Sequence, residues 1–307
     1  MPEGPPAASA LRSGFVLLWG APGSGKSTLL SRLVGEEVAI ATGRARTSLH
    51  RIVGVREEKG FQIVLVDVPG IAAAGDLLER ALLATAKAEI EAADVVLFLA
   101  DARRNPGGDD EFAASELGSV GAQVPVVLVL NKIDAAGPEL ASRRAEFESL
   151  RPFAATVEIS AARGDGIDAL LAEVKSRLPE GPPYYPEGTV TDVPEKLEIG
   201  ERIREQCLLL LDQEIPYACA VLVTKLAERA GNVLHVAATI HVEKESQKAI
   251  VVGKGGATVK RIGTAARLSL EKVLGRKVYL EIDVAVAPHW RRDAAALRRF
   301  GFLVDKG

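Results

Sequence analysis

The amino-acid sequence predicts an α/β domain built on a mostly parallel sheet, followed by a smaller α+β domain. Three observations lead there. Short apolar strands near residues 14–19, 51–57, 61–67, 94–100, 124–130 and 156–160 alternate with helical stretches, as a parallel sheet with crossover helices requires. The stretch "FVLLWGAPGSGKSTLL" reads as strand, glycine-rich loop and helix start. Beyond residue 195 the pattern changes to helix, two strands, two helices joined by "GKGG", and a strand. On this reading 1–13 is a flexible N-terminus and 14–180 is the α/β domain. Residues 181–194, rich in Pro and Tyr, form a linker, and 195–307 form the second domain with a C-terminal helix.

Composition narrows the function classes. The chain has 307 residues, 48% hydrophobic and 26% charged, enough for two cores and unlike a disordered protein. No apolar run approaches the roughly 18 residues that span a bilayer. The start, "MPEGPPAASALRSG", carries no apolar signal segment, so a cytoplasmic protein is expected. Cys207 and Cys219 lack metal or redox spacing and read as buried free thiols in a reducing compartment. Net charge is −3, but unevenly placed: residues 1–180 carry −6 and residues 181–307 carry +3. Lys244–Lys277 alone holds nine basic and two acidic residues. A solvated helix face explains many such runs, yet this clustering favours a polyanion partner for the second domain.

The first glycine-rich loop fits G-x-x-x-x-G-K-[ST] through Gly20, Gly25, Lys26 and Ser27. Glycines let backbone N–H groups approach phosphates, and the following helix N-terminus favours their charge. Gly20, Gly23, Ser24, Gly25, Lys26, Ser27 and Thr28 are therefore the phosphate-binding candidates, with Lys26 reaching the β and γ oxygens and Ser27 binding Mg²⁺ through its hydroxyl. "FQIVLVDVPG" ends a strand at Asp67, a second Mg²⁺ candidate acting through water, and places the Gly70 N–H toward a γ-phosphate. "VPVVLVLNKID" supplies a base reader. Asp134 offers two carboxylate oxygens to the ring N–H and exocyclic amine of guanine, a pair that adenine lacks. Asn131 ties the base loop to the phosphate loop, the Lys132 stem covers the base, and Ser160 with the Ala161 N–H completes the pocket. The expected ligands are GTP or GDP with Mg²⁺. An ATP-driven enzyme is disfavoured by Asn131, Lys132 and Asp134.

The second loop, in "AIVVGKGGATVKRIG", is different. No apolar strand feeds into it, and no Ser or Thr follows its Gly-Lys as a Mg²⁺ ligand. Helix–GKGG–helix matches the G-x-x-G loop of a KH domain, which clamps a single-stranded RNA backbone, and the α-β-β-α-α-β order is that of the type II form. Lys248, Gly253, Lys254, Gly255, Gly256, Lys260 and Arg261 are the RNA-binding candidates.

A P-loop GTPase domain followed by "TVTDVPEKLEIGERIREQ", "EKESQKAIVVGKGGATVKRIG" and "WRRDAAALRRFGF" resembles the Era family of bacterial ribosome-assembly GTPases from Phe15 to Phe302. The resemblance implies binding to the 3′ end of small-subunit ribosomal RNA and to the nascent small ribosomal subunit, with GTP controlling binding. It also implies a bacterial cytoplasmic protein with peripheral association at the inner membrane, although no amphipathic anchor stands out. Three departures fall in the nucleotide site. Gly23 stands where the family carries an Asn expected to ligate potassium. Thr47-Ser48-Leu49 replaces Thr-Thr-Arg, so Ser48 keeps a Mg²⁺-binding hydroxyl, and Val68 replaces a Thr. Lys26, Ser48 and Gly70 remain the catalytic candidates. Ile71 occupies the position of the water-orienting Gln of Ras-like GTPases, so slow intrinsic hydrolysis is expected. The alternative is an RNA-binding module with a nearly inert guanine-nucleotide site; multiple-turnover hydrolysis with and without small subunits separates the two.

Asp134→Asn should replace the acceptor for guanine by an amide and move preference toward xanthosine nucleotides. A charge-assisted hydrogen bond contributes about 1.5–3 kcal/mol, so GTP affinity should fall at least ~tenfold. Unchanged affinity, measured by titration with a fluorescent GTP analogue, removes Asp134 from the site.

Overall fold

A computed structural model of the chain describes residues 11–40, 49–118 and 124–302. Residues 1–10, most of the expected N-terminal segment, lie outside them. The described chain forms two compact units.

In the first unit, β1 (Arg12–Trp19) leads through the glycine-rich loop into α1 (Lys26–Val34). There follow β2 (Ile52–Glu58), β3 (Phe61–Asp67), α2 (Leu77–Glu91, of which only residues 87–91 group with this unit), β4 (Val95–Asp101), α3 (Gly108–Glu116) and β5 (Val126–Asn131). The unit continues with α4 (Leu140–Glu148), β6 (Ala155–Ile159) and α5 (Ile167–Arg177). The sheet order is β2-β3-β1-β4-β5-β6, parallel throughout except for the β2–β3 hairpin predicted from its short connection. Every residue of β4 and β5 is buried, which is why both read as continuous apolar runs: helices cover both faces of a parallel sheet. The parallel strands end together, which brings Gly20, Asp67, Asp101, Asn131 and Ser160 to the carboxyl edge where such sheets bind ligands.

Two features of this unit differ from expectation. β1 starts at Arg12, two residues early, with the Arg12 N–H bonded to the Gly60 carbonyl. The segment read as a linker is held along the sheet as far as Thr191. Val55 N–H donates to Val190 O at 2.8 Å, and the Thr191 hydroxyl donates to Val53 O at 2.6 Å. Gln62, 1% exposed, donates to Tyr185 O and accepts from the N–H groups of Tyr184 and Tyr185. The reason is that β2 is an edge strand, and its outward backbone groups need partners.

The second unit contains α6 (Glu195–Leu210), β7 (Ala220–Arg229), β8 (Val233–Val242), α7 (Glu245–Val252), α8 (Ala257–Leu274), β9 (Lys277–Val286) and α9 (Ala294–Arg299). Its sheet runs β7-β8-β9, with β7 antiparallel and β9 parallel to β8. Ile199, Ile203 and Cys207 on α6, and Ile262, Ala266 and Leu270 on α8, recur every four residues. These stripes pack with Val236, Ala238, Ile240 and Val278 of the sheet. Both cysteines are buried free thiols, as expected.

A second cluster gathers Ala220, Trp290, Leu297, Phe300 and Phe302 around Leu78. Trp290 is fully buried and donates its indole N–H to Ala218 O at 3.0 Å. Leu78 belongs here because residues 72–86, the stretch just after Gly70-Ile71, group with the second unit, as do Leu49 and His50. The His50 ring stacks on Phe302 at 4.7 Å. Arg291 pairs with Asp76 at 2.7 Å and with Glu79 at 3.4 Å. The units therefore do not divide at one point in the sequence.

Candidate functional site

The phosphate loop is shaped by what cannot fit beside it. Gly25 has φ +102, and a Cβ there would lie 2.2 Å from Asn131 Nδ2. The space is needed because Asn131, 1% exposed, donates from Nδ2 to Ser24 O at 2.9 Å. Its Oδ1 accepts from Ala161 N–H at 3.0 Å and from Lys132 N–H at 2.8 Å. One side chain thus joins the phosphate loop, the base strand and the base loop, as its motif predicts.

Lys132 adds a second tie, its ammonium donating to Gly23 O at 2.6 Å and to Asp101 Oδ2 at 2.8 Å. Burial opposes ionisation of Asp101, but hydrogen bonds from Arg103 and Lys132 outweigh it and hold the carboxyl well below the usual range. Asp134 accepts the Ser160 hydroxyl at 2.7 Å, and this bond, with Arg163 nearby, keeps Asp134 ionised below its ordinary range. A cavity of about 170 Å³ is lined by Gly25, Thr28, Asn131, Lys132, Asp134, Ser160 and Ala161, together with Arg103 and Ala162. Sequence reasoning missed Arg103 and Asp101; Asp101 ends a buried strand, a position that could have flagged it. The Ala161 N–H, expected to face the base, is engaged by Asn131 Oδ1, while the residue itself still lines the pocket.

At the phosphate end, the Ser27 hydroxyl donates to Asp67 Oδ2 at 2.7 Å. This oxygen-only pair has the donor chemistry that Mg²⁺ prefers, and Ser27 and Asp67 would hold the ion together with phosphate oxygens. No group of three or more His, Cys, Asp or Glu side chains forms a metal cage among the described residues. Ser48, the remaining Mg²⁺ candidate, lies outside the described residues. Ile71 donates its N–H to Gly20 O at 3.0 Å, tying the segment after Gly70 to the phosphate loop. Its side chain is 1% exposed and counts among the buried hydrophobic residues.

Lys26 is buried, with its ammonium 2.9 Å from Gly20 O and 3.2 Å from Ala21 O. Burial lowers its pKa to about 8, against the pull of Asp67 and Asp110. Phosphate favours the charged lysine, so the bound state holds this proton more tightly than the free state. Binding is then insensitive to pH below 8 and takes up a proton above it. GDP affinity should fall with a slope approaching tenfold per unit above about pH 8, until the bound-state pKa is reached. A dissociation constant that stays flat from pH 7 to 10 contradicts this role.

In the second unit, Gly253 closes α7 at φ +73, and a Cβ there would lie 2.2 Å from Thr258 Oγ1. Lys254, Gly255, Lys260 and Arg261 are exposed, whereas Lys248, Gly253 and Gly256 are partly covered. The loop heads a groove of about 270 Å³ lined by Val259, Lys260, Gly263, Thr264, Arg267, Leu280 and Ile282. Of these only Lys260 was a sequence candidate. The spacing of Lys260, Gly263, Thr264 and Arg267, one face of α8, was the available signal.

The KH domain family matches residues 214–291, and the 50S ribosome-binding GTPase family matches residues 15–132. GTPase Era of Geotalea uraniireducens is 41% identical over 95% of this chain and 98% of its own. GTPase Era of Geobacter metallireducens is 42% identical over the same shares. A crystal structure of an Era variant from Aquifex aeolicus bound to GDP·AlF4⁻ superposes with TM-score 0.90 at 36% identity, covering 96% of this chain and all of that one. A structure of Era in complex with MgGDPNP and nucleotides 1506–1542 of 16S ribosomal RNA gives the same values. With identity at this level over nearly the full length of both chains, and with a guanine-type pocket and a KH loop in place, the chain belongs to the Era family of GTPases.

Proposed function

We propose that the protein binds single-stranded RNA at the 3′ end of small-subunit ribosomal RNA, and that its bound nucleotide controls this step in assembly of the small ribosomal subunit. The observation that carries the reading is the pairing of two phosphate-binding loops of different chemistry in one chain. One sits between a buried strand and a helix, beside Asp134; the other sits between two helices, above a groove bearing Lys260 and Arg267. The solved relative that holds 16S ribosomal RNA and MgGDPNP supports the choice of ligand.

Control by nucleotide is supported by where the chain passes from one unit to the other. Residues 72–86 begin directly after Gly70-Ile71, and Arg291, Trp290 and Leu78 fold them into the RNA-binding unit. A γ-phosphate that draws on the Gly70 N–H therefore acts on a segment whose far end is packed around Trp290. In hydrolysis Lys26 stabilises charge on the β and γ oxygens, Ser27 and Asp67 hold Mg²⁺, and Gly70 orients the γ-phosphate. The side chain of Ile71 cannot orient water, which supports slow turnover by the isolated protein. Among the described residues no helix is long and apolar enough to cross a membrane. A bacterial cytoplasmic location and peripheral contact at the inner membrane rest on family membership alone.

Gly255 has φ +58, and a Cβ there meets nothing within 4 Å. Gly255→Asp meets no steric clash, and Asp adopts the left-handed backbone at lower cost than most residues, yet it sets a negative charge where an RNA backbone must approach. RNA binding should collapse while GTP affinity is unchanged, read by RNA filter binding and nucleotide titration on one preparation. Wild-type RNA affinity in this variant removes the clamp assignment.

Gly23, at φ +78, cannot offer the carbonyl that an Asn would give a potassium ion. The wild type should hydrolyse GTP at nearly equal rates in KCl and NaCl. Asn tolerates a left-handed backbone, so Gly23→Asn should acquire potassium stimulation. It should fall short of the roughly 10³-fold or more that a full charge-stabilising partner supplies, because the supporting switch residues are missing. Strong potassium stimulation of the wild type overturns this account of Gly23.

A further inference from the structure

Arg32 lies in the last turn of α1, the helix that begins at Lys26. A basic residue there has an ordinary explanation, since cations favour helix C-termini. That explanation does not account for where the guanidinium goes. Its Nε donates to the Ala161 carbonyl at 3.0 Å, and its Nη2 donates to the Ala162 carbonyl next along the same loop. Two donors of one planar fork on successive carbonyls fix orientation as well as distance, which a lysine cannot do.

The peptide groups of the base loop show what this grip controls. The N–H of Ala161 is held by Asn131 Oδ1 at 3.0 Å, and the carbonyl of Ala161 is held by Arg32. The peptide that joins Ala162 to Arg163 is gripped at both ends: its carbonyl by Arg32, and its N–H by Ser160 Oγ at 3.1 Å. A peptide is planar and trans, so holding the carbonyl sets the direction of the N–H on its other side. Ser160 Oγ accepts that N–H and in turn donates its only proton to Asp134 Oδ1 at 2.7 Å. The direction of the Arg163 N–H therefore decides which lone pair of Ser160 is used, and so where the Ser160 proton points. Gly164, at φ +97, takes the left-handed backbone that glycine favours and carries the loop onward from the Arg32 contact.

We propose that Arg32 is a positioning residue for guanine recognition, acting through the Ala162–Arg163 peptide and Ser160 to hold the Asp134 carboxylate in the orientation that reads guanine. The proposal rests on Asp134 being the guanine reader, and inosine triphosphate separates the two ideas. Hypoxanthine keeps the ring N–H but lacks the 2-amino group, so it forfeits one of the two contacts that a well-placed Asp134 makes.

The experiment compares the full-length wild type, Arg32→Ala and Arg32→Lys for KM and kcat with GTP and with inosine triphosphate. In Arg32→Ala, KM for GTP should rise about tenfold, the scale of a lost charge-assisted contact, with kcat within about twofold of wild type. The ratio of kcat/KM for GTP over inosine triphosphate should fall, because a carboxylate free to turn gains less from the 2-amino group. Arg32→Lys keeps the helix-end charge with a single-point donor and should fall between the two. Wild-type KM and ratio in Arg32→Ala overturn the proposal. So does a loss of kcat at unchanged KM, which places Arg32 on the phosphate helix, and so does an equal loss for both nucleotides, which makes its role merely structural. If Arg32→Ala does not fold, Arg32→Lys decides: a raised KM with reduced discrimination supports the proposal, and wild-type behaviour ends it. A wild type that prefers GTP over neither inosine triphosphate nor ATP refutes the Asp134 reading itself, whatever Arg32 does.

Discussion

The nucleotide site depends on one buried amide. Asn131 ends the fully buried β5, and its side chain joins the Ser24 carbonyl, the Ala161 N–H and its own neighbour Lys132. An amide is the side chain that can do this, because it has a donor for a carbonyl and an acceptor for N–H groups on adjoining atoms. Its presence forbids a side chain at Gly25, and its position at a strand end is fixed by a sheet whose central strands have no exposed residue. If Asn131 moves, the phosphate loop and the base loop lose their common reference. Lys132 on Gly23 and Arg32 on Ala161 and Ala162 strengthen the same link from either side.

The two glycine loops solve related problems in different settings. In both, missing side chains allow phosphate to approach backbone. The first follows a strand buried on both faces, and its lysine is so enclosed that its pKa drops to about 8, which suits a compact, highly charged triphosphate. The second follows a helix, leaves Lys254 exposed, and opens onto a groove whose floor includes Leu280 and Ile282. A chain of nucleotides with phosphates outside and bases inside matches that geometry. Burial around the loop, more than the glycines, separates a nucleotide site from a nucleic-acid clamp.

Much of this was legible in the sequence because it depends on local order. Strand–loop–helix around Lys26, a buried run before Asn131, and helix–GKGG–helix each place their functional residues without long-range information. What escaped depends on contacts between distant segments. The Pro- and Tyr-rich stretch reads as a linker by composition, and only the unpaired edge of β2 explains why it is held down to Thr191. That residues 72–86 fold with Trp290 and Arg291 has no local signature, since Leu78 and Asp76 look like any amphipathic helix start. Arg32 and Arg103 resemble ordinary surface cations until their partners are known. The motif assigns the Ala161 N–H to the base, whereas the structure engages it with Asn131.

The central claim is that one chain uses its guanine nucleotide to set its grip on RNA. It is tested most directly by the affinity of the full-length protein for a single-stranded RNA carrying the 3′-terminal sequence of small-subunit ribosomal RNA, measured with Mg²⁺ and either GDP or a non-hydrolysable GTP analogue. The account predicts clearly tighter binding with the GTP analogue, and a reduced difference in Arg291→Ala, which removes the ion pairs of Asp76 and Glu79 that tie the segment after Gly70 to the RNA-binding unit. Equal RNA affinity in the two nucleotide states of the wild type would contradict it.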